Sequence, residues 1–353
     1  MENSTVPAHH LRETRYPDTF QEHDFDVKNF QFTSGESLPT LRLHCRTLGS
    51  PSVDSRGRTT NAVLILHGTG GASTQFIQDM FAGQLFGPGQ LLDASKYYII
   101  LRDGIGHGKS SKPSDGLRAQ FPKYGYRDMV EADHLLLTQH LGINHLRLVM
   151  GTSMGGMQSW LWAALFPDFM DAAMPLASLP AQIAGRNRMS RKMIMNAIQS
   201  DPEYKKGNYG AQPVHGLTSA INVLLWMSSV PLQWQKEAPT RDAADAFLDE
   251  RVARMLQTTD ANDFLYQIRS SSDYDPAPLL DRIRVPLVAV NSADDQINPP
   301  ELGLLEAGIE KVARGRAVVL PISDETRGHG SHTIAKLWKH ELESLLSMSE
   351  TTK

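Results

Sequence analysis

Short apolar runs alternate along this chain with longer segments whose apolar positions recur every three or four residues. Residues 41–46, 62–66, 97–101, 146–150, 173–177, 285–290 and 317–320 read as strands. Several of them are continuously apolar, the pattern expected where helices cover both faces of a sheet. Helical periodicity fills 126–141, 157–166 and 334–346. Alternation of this kind predicts an α/β protein with a mostly parallel central sheet flanked by helices.

One interval breaks the rhythm. Between 177 and 285 no strand pattern appears; apolar residues cluster at Met189, Met193, Met195 and Ile198, at Leu224, Leu225 and Trp226, and at Phe247, Leu248, Val252 and Met255. Pro213, Gly216, Pro231 and Pro239 punctuate it as turns between helices. An insertion at this point of an open α/β sheet overlies the carboxyl edge of the strands, where ligands bind. The expected organisation is therefore a polar N-terminal arm over 1–30, a core of 31–178 and 279–353, and a helical lid over 179–278, inserted before the last two strands.

Composition narrows the partners. Among 353 residues, 35 Lys and Arg stand against 39 Asp and Glu, a net charge of −4 that advertises no surface for nucleic acid. The single cysteine, Cys45, excludes an internal disulfide and a cysteine-built zinc site. No apolar run approaches the ~18 residues that span a bilayer, and the first thirty residues contain no apolar signal stretch. The expectation is a soluble, cytoplasmic protein without a membrane partner.

The chemistry-bearing signal is Gly151-Thr152-Ser153-Met154-Gly155, directly after one strand and before a helix. G-x-S-x-G in that setting places a serine hydroxyl on a sharp turn above the sheet, with small residues where bulk would collide with backbone. Serine is a weak nucleophile until a base takes its proton, and in this arrangement the chain order is serine, acid, histidine. The acid should follow the next-to-last strand, where Asp294 and Asp295 stand side by side; D-x-I-x-P favours Asp295. The base should follow the last strand. Of His329, His332 and His340, the loop residue His329 is favoured; His332 suits a supporting or capping role and His340 a solvated helix face. The i, i+3 pair His329 and His332 lacks further ligands, so no metal is expected. Oxyanion donors are expected from the N–H of Met154 and, in His67-Gly68-Thr69-Gly70-Gly71, from that of Thr69, with Gly68 as the alternative. Asp103-Gly104-Ile105-Gly106-His107-Gly108 lacks dinucleotide spacing, and no cofactor is expected.

Several blocks resemble the α/β-hydrolase fold, and within it the homoserine O-acetyltransferase-like branch. They are Tyr126-Arg127-Asp128-Met129-Val130, Gly151 to Gln158, Ala197-Ile198 with Asp201-Pro202, Gly207-Asn208-Tyr209, and Asp260-Ala261-Asn262 with Phe264-Leu265-Tyr266. The resemblance runs from about Phe30 to Leu346. It implies Ser153 as nucleophile, Asp295 as acid, His329 as base, a lid over the substrate tunnel, and a homodimer formed through lid helices. It also exposes two departures. The arginine that transferases of this branch use for the acceptor's charged end falls on Met195, and the aspartate that follows their catalytic histidine falls on Gly330. Arg188 or Arg191 could replace the first only in a different helix register. Without both anchors the ammonium and carboxylate of homoserine would be left unpaired in a dry pocket.

The expected function is serine-dependent acyl chemistry on a small-molecule ester or acyl-CoA. Hydrolysis through an acyl-serine comes first, with a pocket that includes Met195, Trp226 and Gly330. Acyl transfer to an alcohol other than homoserine is the alternative, and a non-catalytic binding protein on the same scaffold the third.

Overall fold

Eight extended segments pair into one sheet in a computed structural model that describes residues 20–350. The strands are β1 (Gln21–Gln31), β2 (Ser37–Leu48), β3 (Ala62–Leu66), β4 (Tyr98–Asp103), β5 (Leu148–Thr152), β6 (Ala173–Leu176), β7 (Leu287–Ser292) and β8 (Gly315–Leu320). Their order is β1-β2-β4-β3-β5-β6-β7-β8. β1 and β2 run antiparallel to their neighbours, and every pair from β4 to β8 is parallel.

Strand periodicity sorts side chains onto two cores. In β3, Ala62, Leu64 and Leu66 face one cluster with Met129, Trp160 and Trp162, while Val63 and Ile65 face another with Phe76, Phe81, Trp338 and Leu345. Successive side chains of a strand point to opposite faces, so a strand apolar at every position signals cover on both sides. All five β3 residues and all six of β4 and of β7 are buried. Cys45 of β2 is fully buried, opposite His23 of β1 and Arg102 of β4.

The helices are α1 (Ala82–Leu85), α2 (Tyr126–Leu135), α3 (Met154–Leu165), α4 (Gly185–Ser200), α5 (Val214–Met227), α6 (Pro231–Glu237), α7 (Arg241–Leu256), α8 (Ala261–Arg269), α9 (Leu304–Ile309) and α10 (Lys339–Glu350). Helices α4 to α8 form the insertion between β6 and β7. They pack on a core of their own around Ile194, Ile198, Leu217, Ile221 and Leu265. Hydrogen bonds tie them to the sheet domain: Ser114 N–H and Oγ–H donate to Asp263 (2.8 and 2.6 Å), Gln267 Nε2 donates to Gly106 O (2.9 Å), and Tyr266 Oη donates to Phe121 O (2.8 Å).

Two expectations are corrected. Residues 21–30, read as part of a polar arm, belong to edge strand β1; residues 1–19 of that arm lie outside the described residues. Phe25 and Val27 keep the alternation, but Asn29 takes a positive φ of 52° and the next buried position becomes Phe30, which hides the strand's period. The helix read over 126–141 is α-helical only to Leu135; Leu136–His140 continues as a π-helical turn.

Candidate active site

Strand β5 ends at Thr152 and helix α3 begins at Met154, leaving Ser153 alone to reverse the chain. It does so at φ 56°, ψ −112°, with its N–H donating to Leu176 O of β6 at 2.9 Å. A non-glycine residue in that region is strained and persists only where its surroundings over-determine it. Here the surroundings are close backbone contacts. A Cβ on Gly151 would lie 2.3 Å from Gly155 O, one on Gly155 1.9 Å from Leu66 O, and one on Gly156 2.3 Å from Leu176 O. The turn sets Ser153 at the positive end of the α3 dipole.

The turn after β7 carries Asp295 and the loop after β8 carries His329. His329 Nδ1 donates to Asp295 Oδ2 at 2.8 Å, and Ser153 Oγ donates to His329 Nε2 at 2.8 Å. Asp295 is fully buried and also accepts the N–H groups of Ile297 (2.8 Å) and Asn298 (3.1 Å). Burial pushes its carboxyl up, but the His329 imidazole and these backbone donors outweigh burial and hold it below its ordinary value. The neighbouring Asp294 turns away: it accepts from Ser292 Oγ (2.5 Å) and Thr326 Oγ1 (2.9 Å), anchoring the loop that presents His329. His332 is half-buried with its Nδ1 enclosed, its ring 5.3 Å edge-on from that of His329, and loss of solvent around the ring lowers its pKa to about 3. His340 is exposed on α10.

The backbone N–H groups of Thr69 and Met154, on the loop after β3 and at the first residue of α3, make no hydrogen bond to another of the described residues. The Gly68 N–H is already taken, by Gln75 Oε1 at 3.1 Å, and Gln75 Nε2 donates to Thr152 Oγ1 at 3.0 Å. Gln75 thus bridges the loop after β3 to the serine's own turn, a contact with no signature in the sequence. His67 holds the same loop from behind. Its Nδ1 donates to Gly68 O (2.8 Å) while Nε2 accepts from Gly104 N–H (3.0 Å) and Arg102 Nη1 (3.2 Å). Complete burial and the nearby Arg102 charge hold His67 well below its ordinary pKa, so the neutral tautomer set by these bonds persists.

Residues 61–314 match the family described as alpha/beta hydrolase fold. The chain belongs to the α/β-hydrolase family, in its homoserine O-acetyltransferase-like branch. A probable acyltransferase of Methanothermobacter thermautotrophicus is 29% identical over 279 residues, 79% of this chain and 84% of that protein. A homoserine O-acetyltransferase of Geobacter metallireducens is 33% identical over 315 residues, 78% of this chain and 82% of that protein. In three dimensions the fold is similar to that of an acetylester hydrolase from Corynebacterium glutamicum, with a TM-score of 0.79, 22% identity, and coverage of 93% of this chain and 96% of that one.

The substrate side of this α/β hydrolase departs from the sequence reading. Trp226 is 75% exposed on the outside of α5, and Met189 and Met193 are exposed on α4. These three side chains face solvent, because the buried stripes of α4 and α5 pass through other positions. Met195 is buried in the core of the insertion. Gly330 follows His329 within its loop. Arg188 is half-buried and donates to Ser272 Oγ at 3.4 Å, whereas Arg191 turns inward. A cavity of about 380 Å³ lies beside the acid's turn, lined by Met157, Leu179, Asn187, Ile297 and Asn298 among others. Among the described residues no group of three or more His, Cys, Asp or Glu is placed to hold a metal ion, and no helix is long and apolar enough to cross a membrane.

Proposed function

We propose that this protein is a serine esterase acting on a small carboxylic ester. The reading is carried by one observation: the 2.8 Å contacts that link Ser153, His329 and Asp295 into a single proton path. Ser153 Oγ attacks the ester carbonyl as His329 Nε2 takes its proton. Asp295 fixes the tautomer and stabilises the imidazolium that forms. The N–H groups of Thr69 and Met154 receive the charge that develops on the carbonyl oxygen, and their lack of other partners suits them to it. His329 returns the proton to the departing alcohol, then deprotonates the water that releases the acid from Ser153.

A fluorophosphonate probe should label Ser153 and no other serine, as peptide mapping would establish. Ser153→Ala and His329→Ala should each lower kcat/KM on p-nitrophenyl esters by about three orders of magnitude, with unchanged circular dichroism. Full activity in His329→Ala, with its loss in His332→Ala, would move the base to His332.

Acyl transfer is the second reading, favoured by the curated relatives named acyltransferases. It uses the same residues and differs in what accepts the acyl group. Acetyl-CoA consumed only when an alcohol is present would support it; rapid ester turnover in water alone supports hydrolysis. Met195 and Gly330, at the positions of the branch's acceptor anchors, argue for an acceptor other than homoserine under either reading.

A further inference from the structure

Helix α4 turns inward at Arg191, Ile194, Met195 and Ile198, the i, i+3, i+4, i+7 stripe of a helix facing a core. Three of the four are apolar. The other is a guanidinium, and only 5% of Arg191 is exposed. A buried arginine ordinarily has a carboxylate beside it, because a charge withdrawn from water is costly unless it is paired. Arg191 has none: Nε donates to Asn187 Oδ1 (2.9 Å), Nη1 donates to Ser271 Oγ (3.2 Å), and it forms no ion pair among the described residues.

Two further polar groups converge there without completing a hydrogen bond. The turn that carries Ser271 also carries Asp273, which accepts the Tyr126 N–H at 2.9 Å and so fixes the start of α2 against Arg191. The Tyr126 hydroxyl is buried against the guanidinium on one side and the Thr69 hydroxyl on the other; both oppose the upward push of burial on its pKa. Tyr126 Oη and Thr69 Oγ1 are nonetheless buried without a hydrogen-bond partner. Each is expected to find a partner when its site is filled. Thr69 is also next to Gly68, where a Cβ would lie 3.5 Å from Ser153 Cβ, so the Thr69 end of this cluster lies beside the serine's turn. Asn187, which accepts from Arg191, lines the cavity beside the acid's turn.

We propose that Arg191, Tyr126 and Thr69 form an anion subsite that seats a carboxylate of the substrate beside the scissile ester. The proposal rests on the esterase reading for the position of the scissile bond and adds the substrate class: an ester bearing a free carboxylate and no ammonium. The nearby acidic groups are committed elsewhere. Asp295 pairs with His329, Asp273 accepts the backbone N–H groups of Tyr126 and Arg127, and Asp263 holds Ser114. An amino-acid ammonium would find no carboxylate at Gly330 either.

The test compares matched esters. On the acyl side the pair is p-nitrophenyl hemisuccinate against p-nitrophenyl acetate; on the alcohol side, 3-acetoxybutyrate against its amide. In at least one pair the wild type should favour the anion by about tenfold or more in kcat/KM, and the favoured pair tells which half of the ester carries the charge. Arg191→Met should reduce that ratio at least tenfold, with Arg191→Lys recovering part of it. A binding arm uses succinate with the Ser153→Ala protein: succinate should raise its Tm, and should lose that effect in Ser153→Ala/Arg191→Met. Neutral preference in both pairs, or a succinate shift that survives Arg191→Met, overturns the subsite. Absence of all ester turnover while succinate still stabilises through Arg191 overturns the esterase reading and leaves the subsite standing.

Discussion

At the scale of single residues, the site depends on side chains that never touch the reacting atoms. Gln75 is the clearest case. Its two amide atoms hold the loop after β3 to Thr152, and its oxygen occupies the Gly68 N–H, so that under the proposed function the next N–H, that of Thr69, is the one left to receive the oxyanion. Gln75→Ala should therefore lower kcat on p-nitrophenyl acetate by about tenfold or more while KM stays within a few-fold, since the loss falls on the charge formed during attack rather than on binding. A rise in KM at constant kcat would show that Gln75 shapes the pocket instead. Gln75 was beyond reach of the sequence because it matters through partners elsewhere along the chain, and nothing local marks a glutamine seven residues past a glycine; Arg191 was visible only as a substitute anchor and Tyr126 only within a block, their meeting being set by packing. Ser153, Asp295 and His329 were legible one at a time, since each follows a strand that announces itself by continuous apolar character.

At the scale of elements, the sharp passage from β5 into α3 is the most demanding local structure in the molecule. Backbone carbonyls from two neighbouring strands press on its glycines, and a backbone oxygen cannot swing aside as a side chain can. Gly155→Ala should cost about 3 kcal/mol or more, seen as a lower denaturation midpoint in urea, whereas Gly210→Ala, with no atom within 4 Å of the added methyl, should stay within about 0.5 kcal/mol. Equal effects would mean that the turn relaxes freely. The central parallel strands, buried on both faces, were plain in the sequence. Edge strand β1 was not, because it is half solvated and Asn29 breaks its period. The inserted helices were legible as helices, but their rotation was not: α4 carries methionines on two faces, and only packing decides that Met195 goes in while Met189 and Met193 go out.

At the scale of the whole molecule, burial of neutral histidines links stability to pH. Burial, aided by nearby charge, lowers His107 to about 4 and His332 to about 3. Between those values and the ordinary histidine pKa of 6.5, the unfolded chain binds protons that the folded one refuses. Their contribution to stability is therefore complete above pH 6.5 and is lost as the pH falls toward the folded values. Asp133 and Asp263, raised to about 6 chiefly by burial, work in the opposite sense, so the net slope is a difference. A single variant isolates one term. His332→Asn should flatten the rise of unfolding free energy between pH 4 and 6 by about 1.4 kcal/mol per pH unit, measured by urea titration at each pH. An unchanged slope would mean that His332 becomes protonated in the folded state.

The lone thiol adds a last consequence. Cys45 is sealed between the two antiparallel strands and the parallel sheet, and burial together with the Asp103 charge pushes it up to about 12. Alkylating reagents need a thiolate that they can reach, so iodoacetamide should leave the native protein untouched and capture only molecules whose β1–β2–β4 seam has parted. The reaction would then act as a clock for that rare event, read by mass spectrometry without any engineered label.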